Sequence, residues 1–408
     1  MSSVQLTGDD RLKNFFTAAR RNMRSYTMVI ALVLIWALFG ILTPHGVFLS
    51  SRNISNLFRQ MSMIGFLACG MVLVIVTGNI DLSVGSVTGF ISALVARLQA
   101  KALPPLFEQW FPDMSRQTAA WTSSVVAILM AMAVGLLIGA YQGALIAYAK
   151  IPAFIVTLGG WTAFRGGVLW VTEGKSVTPI EEPIVQLAQG YLHVNIGYII
   201  AAIVIGAIFL GMIRSRARKA QYGFDLPPMY RDLLRAGFFS ALVLFYVWYV
   251  SRYRGVQNPV FLLAIVAVVI SYFSTNTRFG RYAYAIGGNK EATRLSGINI
   301  KKNTFLVFVL MGAMAGICGL ILTGYVAAGT TIGGNLYELD TIAACVMGGT
   351  SLMGGEGTIF GAIIGALVMA SIINGMSVMN MPIEFQYIVK GIVLIIAVYL
   401  DVVSKRAK

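Results

Sequence analysis

Charge is scarce in this chain. Only 12% of its 408 residues are Asp, Glu, Lys or Arg, while 57% are hydrophobic and mean hydropathy is +0.77. A soluble domain of this size cannot keep so much apolar surface from water, so a water-exposed globular fold is excluded. Cysteine and histidine are nearly missing, with three and two copies. Cys69, Cys318 and Cys345 all fall in apolar runs, where packing is expected and a disulfide is not. His45 and His193 stand in separate polar stretches without metal-ligand spacing, so no metal site is expected. A phosphate-binding loop is lacking too. Gly174-Lys175-Ser176 ends like one, but the pattern needs glycine where Leu169 stands. With neither a nucleophile–base pair nor a carboxylate dyad on a soluble scaffold, the chain is expected to be no enzyme and to carry no cofactor. The net charge of +15 rests on so few charges that it does not point to nucleic acid.

What the chain has is apolar runs of roughly 20 residues, the length that spans a ~30 Å hydrocarbon core. Its 43 glycines fit close packing between membrane helices. The runs are Tyr26 to Thr43, Met61 to Thr77, Val87 to Leu98, Trp121 to Ala149, Ile151 to about Val171, Ile196 to Ile213, Gly237 to Val250, Pro259 to Ser274, Phe305 to Thr323, Ile359 to Val378 and Tyr387 to Leu400. Ser50 to Gln60 reads as a polar segment at the outer surface, and Leu336 to Leu352 as an irregular crossing. The fold class is therefore an all-α polytopic membrane protein with about ten to twelve transmembrane helices, some broken or re-entrant, embedded in a lipid bilayer. Of the 31 Lys and Arg residues, 21 cluster in the N-terminus, at Lys150, at 214–235, at 278–302 and in the tail. Basic loops stay on the cytoplasmic side. Both termini are thus expected to be cytoplasmic, with residues 1–25 a cytoplasmic segment, 26–404 one transmembrane domain and 278–302 a cytoplasmic excursion from it.

Polar groups inside the membrane are costly and mark function. Asn79-Ile-Asp81-Leu-Ser83-Val-Gly85 is the first such group. Gly78 and Gly85 release the backbone from helix, and Asp81 is placed to cap the next half-helix. The role is either structural or one of pore lining and gating. Glu338-Leu-Asp340, followed by the glycine-rich run that holds Thr350 and Ser351, repeats the design: acid, apolar turn, glycine break, new span. Two broken segments in opposite halves are the mark of a transporter built from related halves. Phe154, Thr157 and Trp161 share one helical face and could line a solute path. Between two apolar runs lies Gly288-Asn289-Lys290-Glu291-Ala292-Thr293-Arg294-Leu295-Ser296-Gly297. Asn289 as N-cap, Glu291 in the first turn and Gly297 as stop predict a short helix over Lys290 to Ser296. Such a helix is either a solvated loop or an element that pushes on a soluble partner.

Asn79 to Gly85, Pro152-Ala-Phe-Ile-Val-Thr-Leu158, Arg278-Phe-Gly-Arg-Tyr-Ala-Tyr-Ala-Ile-Gly-Gly-Asn289 with Glu291 to Gly297, and Glu338 to Ala344 with Gly348 to Ser351 stand in one order. Together they resemble the permease subunits of ATP-binding-cassette monosaccharide importers, over about Ser51 to Ser404. The extra segment around Gln221 to Asn258, which the shorter ribose-type permeases do not have, is most similar to the D-xylose branch. The resemblance implies a homodimer in the bacterial inner membrane, working with cytoplasmic ATPase subunits that bind ATP and Mg, and with a periplasmic sugar-binding protein. By position it implies that Gly288 to Gly297 couples to the ATPase, and that the two broken segments are central to the pathway. The competing class is a secondary sugar symporter with Asp81 or Asp340 binding the coupling ion, in which the short helix has no purpose. A channel or membrane scaffold explains the spans but not that helix.

Overall fold

The computed structural model describes residues 28–224 and 226–406; the expected cytoplasmic segment 1–25 lies outside the described residues. Helices α1 (Met28–Leu42), α2 (Ser51–Val76) and α3 (Val84–Arg97) come first, and α3 passes through a wider turn into α4 (Leu103–Trp110). Next are α5 (Arg116–Ala147), α6 (Ala153–Thr172), the short α7 (Glu182–Gln189), α8 (Val194–Gln221), α9 (Met229–Ser251) and α10 (Asn258–Asn276). Two short helices follow, α11 (Arg278–Gly288) and α12 (Lys290–Leu295). The chain closes with α13 (Ile300–Val326), α14 (Tyr337–Met347), α15 (Ile359–Val378) and α16 (Ile383–Arg406). Among the described residues nine helices are long and apolar enough to cross a membrane. The shorter α1, α3 and α14 account for the difference from the ten to twelve expected.

Burial divides these helices into two classes. The apolar stretch of α2 is 89% buried inside the protein, and those of α13 and α15 are 72% buried, whereas the figures for α8 and α16 are 11% and 6%. The first three form the centre, and the last two face outward with apolar side chains. On one side α13 meets α5 at a seam of small residues, where a Cβ at Gly312 would overlap the Gly135 carbonyl and one at Gly139 the Phe308 carbonyl. Backbones come this close only where side chains are missing. At the opposite end from α11 and α12, Val177 bridges Gly329 and Tyr191 bridges Gln257. There Arg97 donates to Glu173 Oε1 at 2.7 Å, beside Lys101, and together they hold the Glu173 carboxyl below the usual carboxylate range.

The segment Ser50 to Gln60, expected as a polar stretch at the outer surface, is helical. It is the start of α2, capped by Ser50, whose Oγ accepts from the Asn53 N–H at 3.3 Å. Its polar residues escape the cost of burial by pairing. Asn53 donates to Asn374 Oδ1 at 2.7 Å, Gln257 donates to Ser55 Oγ, and Gln60 donates to the Tyr325 hydroxyl at 3.4 Å. Hydropathy cannot show partners that are some 200 to 320 residues away. The polar stretch 172–195 likewise contains α7, and the run read as starting at Trp121 begins at Arg116.

Candidate functional site

The two broken segments, far apart in sequence, meet inside the membrane domain. After Val76 the chain leaves helix at Thr77 and turns at Gly78, whose φ of 77° suits glycine. Asn79 folds back on the turn, donating to Thr77 Oγ1 at 3.0 Å. Asp81, 3% exposed, accepts from the Ser83 backbone N–H at 2.8 Å and from the Ser83 hydroxyl at 2.7 Å. That hydroxyl in turn accepts from Gln142 Nε2 on α5 at 2.8 Å. The carboxylate thus fixes the start of α3, and Gln142 ties that start to a neighbouring helix. One turn on, a Cβ at Gly85 would overlap Glu338 Oε2, and one at Gly89 would overlap the Gly333 carbonyl. Two bare helix faces let the stretch 333–338 lie directly on α3.

Glu338 and Asp340 sit in the first turn of α14, where a helix N-terminus favours negative charge. Leu336 caps that turn with a left-handed φ of 61°. Glu338 Oε1 accepts from Trp161 Nε1 on α6 at 3.1 Å, while Oε2 has no hydrogen-bond partner among the described residues. Arg165, one turn beyond Trp161, donates to the Gly333 carbonyl at 3.2 Å. Asp340 Oδ2 lies 2.8 Å from Lys390 Nζ on α16, both side chains being largely buried, and Oδ1 is without a partner among the described residues.

Phe154, Thr157 and Trp161, expected to line a path along one face of α6, meet different surroundings within the chain. Trp161 turns to Glu338, and Thr157, fully buried, donates to the Ala153 carbonyl at 2.9 Å and contacts the Ile80 carbonyl. Phe154 is 54% exposed on the outside of α6. Equal angles on a helical wheel do not ensure equal environments, because neighbouring elements cover only part of α6.

The third expected element forms as a helix over Lys290 to Leu295. Asn289 Oδ1 accepts from the Ala292 N–H at 2.9 Å, and Glu291 pairs with Arg294. Gly297 ends the helix at φ 77°, its N–H bonding the Arg294 carbonyl and that of Ile298 the Thr293 carbonyl. Gly288, Asn289, Glu291, Ala292, Arg294, Ser296 and Gly297 are exposed, as is Leu295, at 78%. Thr293 is the exception: it is buried and donates to the Ala285 carbonyl at 2.8 Å, locking α12 onto α11.

A junction that the sequence did not reveal links this exposed helix to both broken segments. Gly287 of α11 is packed so tightly that a Cβ would overlap the Val76 carbonyl, at the end of α2, and crowd the Gly355 amide. Gly355 donates to that same Val76 carbonyl at 2.9 Å, and the Tyr284 hydroxyl donates to the Gly357 carbonyl at 2.8 Å. The loop that follows α14 is thereby pinned to α11. Thr350 and Ser351 are buried within it; Ser351 Oγ accepts from the Met353 N–H at 3.1 Å. Only the adjacent pair Gly287-Gly288 hints at the junction. Lys390 was similarly visible as the lone charge of an apolar run, a signal for an intramembrane partner. Among the described residues no group of three or more His, Cys, Asp or Glu could hold a metal ion.

The Asp81 turn supports a graded expectation. Losing a charge-assisted, buried hydrogen bond costs about 1.5–3 kcal/mol. Asp81→Asn keeps an acceptor oxygen for Ser83 and is expected to lower transport less than Asp81→Ala, with Gly85→Leu worse than either. Uptake measured for the three variants across pH tests this. An ion-carrying Asp81 would instead make Asn as damaging as Ala.

The family model for the branched-chain amino acid transport system / permease component matches residues 53–398. The xylose transport system permease protein of Escherichia coli (strain K12) is 42% identical over 94% of this chain and 93% of its own length. That of Haemophilus influenzae (strain ATCC 51907 / DSM 11121 / KW20 / Rd) is 41% identical over 94% and 98%. The ribose import permease protein of Escherichia coli (strain K12) is 32% identical over 95% and 96%. No solved structure matches.

Proposed function

The chain belongs to the branched-chain amino acid transport system / permease component family, and from that membership we propose that it is the membrane subunit of an ATP-driven monosaccharide importer with D-xylose as its sugar. The choice of sugar rests on identities of 42% and 41% to xylose permeases against 32% to a ribose permease. On this reading two copies sit in a bacterial inner membrane with both termini cytoplasmic. A periplasmic binding protein delivers the sugar, and a separate subunit binds ATP and Mg on the cytoplasmic side.

The observation that carries the mechanism is the junction at Gly287. α12 offers a short exposed helix for the ATPase to grip: Glu291 and Arg294 for polar contacts, Ala292 and Leu295 for apolar ones. α11 joins α12 rigidly through Thr293 and reaches the end of α2 and the loop 348–358. A displacement of α12 is then passed to the Asn79–Gly85 turn through α2, and to Glu338, Asp340, Thr350 and Ser351 through the loop. The α3–α14 contact at Gly85 is the place where both displacements meet. The sugar path runs beside it, with Trp161 set by Glu338.

Glu291→Lys and Gly297→Val are expected to leave membrane insertion intact, since both residues are exposed, and to lower sugar uptake at least tenfold by loosening the ATPase. Uptake and ATP hydrolysis measured in proteoliposomes with the purified ATPase test the assignment. Normal uptake with normal stimulation of hydrolysis in both variants would overturn it.

A further inference from the structure

The helical hairpin α8–α9 lies at the edge of the helices described above and meets α2 through the rings of Tyr246 and Phe58. Its contacts form a small apolar cluster of their own around Ala201, Val247 and Val250, and most of the α8 surface faces outward. At the end of the hairpin that lies on the α11–α12 side, a cavity of about 240 Å³ opens between the two helices. Apolar Ile208, Met212 and Phe239 line it together with Arg216, Lys219, Arg235 and one acid, Asp232. The residues come from one face of each helix, spaced three and four apart.

Its charges are arranged for an anion. Arg216 pairs with Asp232 and donates to the Pro227 carbonyl at 3.0 Å, which holds the guanidinium in place at the turn. Asp232, the one acid of the lining, is taken up by Arg216, and among the described residues Lys219 and Arg235 form no ion pair. The depth is also defined. The apolar run of α8 from Ile196 to Ile213 rises about 27 Å, close to the hydrocarbon thickness, so Arg216 and Lys219 stand at the level of the headgroups.

We propose that the groove between α8 and α9 holds an anionic phospholipid, its phosphate between Lys219 and Arg235 and an acyl chain on Ile208, Met212 and Phe239. A soluble phosphate would leave the apolar lining unused. A zwitterionic lipid would set its own cation against the basic residues. Basic pockets between membrane helices recognise acidic headgroups in this way. The inference does not depend on the transported sugar.

The test is native mass spectrometry of the full chain, taken from nanodiscs of phosphatidylcholine with or without phosphatidylglycerol. Wild type is expected to retain phosphatidylglycerol in preference to phosphatidylcholine. Each basic residue near an anionic lipid contributes about fivefold, so K219Q/R235Q is expected to weaken retention about thirtyfold. Both side chains are exposed, and folding is checked by size-exclusion elution. R214Q/R231Q removes the same charge from outside the groove and is expected to keep the lipid. Equal loss in both pairs would overturn the site, leaving only general surface attraction. Displacement of the lipid by inorganic phosphate would point to a soluble anion instead and equally overturn it. So would loss of ATPase-subunit binding by K219Q/R235Q in lipid-free detergent, which would make the groove a protein-docking surface.

Discussion

Gly287→Val is expected to abolish sugar uptake, while Gly288→Ala, one residue on, leaves the chain folded and largely active. The contrast is geometric. A Cβ at Gly287 would overlap the Val76 carbonyl, whereas one at Gly288 meets nothing within 4 Å. Overlap with backbone cannot be relieved by a rotamer change, so α11 must withdraw from α2 and from the loop 348–358. α12 keeps its own cap and stop, because Asn289 and Gly297 lie outside the junction. On the proposed reading the ATPase is therefore expected still to bind the variant. Hydrolysis continues while uptake falls to background, and that combination distinguishes broken transmission from broken docking. Parallel assays of ATPase binding, ATP hydrolysis and uptake check it, and retained uptake in a folded Gly287→Val protein would refute the relay.

The second large effect is expected at the Asp340–Lys390 pair. With Asp340 at 1% exposure, replacing Lys390 by Ala leaves a carboxylate buried without its partner. Breaking such a pair from one side costs about 3–5 kcal/mol. Much of that is the cost of the stranded charge rather than the worth of the pair. The double variant Asp340→Asn/Lys390→Met is accordingly expected to recover most of the stability lost in Lys390→Ala. Unfolding midpoints in mixed micelles for the single and double variants measure the coupling. Additive losses would show that the two side chains act independently.

How much of this could be read from the sequence depended on the range of the interactions. Where a helix is apolar throughout, its ends are legible, as in the run Ile359 to Val378, whose ends α15 shares; polar helix ends such as Ser51 to Gln60 and Met229 to Ala236 are not. The caps of α12 were legible for the same reason: Asn289, Glu291 and Gly297 act within one or two turns. The Asp81–Ser83 bond spans two residues and could be anticipated from the turn. What escaped was pairing across the fold. Asn53 with Asn374, Glu338 with Trp161, and Gly287 with Val76 and Gly355 leave no local trace. The partners of Ser50 to Gln60 lie outside any local window, so its polarity alone does not show a helix. Lys390 is a lone charge in an apolar run, which calls for a buried acid, but nothing local picks out Asp340.

On the proposed reading energy enters through α12 from ATP and not through an acid in the membrane from an ion gradient. The decisive measurement is uptake of radiolabelled D-xylose into proteoliposomes containing the chain, an ATPase subunit and a binding protein. With ATP supplied on the ATPase side and proton and sodium gradients collapsed by ionophores, uptake is expected to be undiminished. Uptake driven by an imposed ion gradient without ATP would contradict it and make Asp81 or Asp340 the ion site of a symporter.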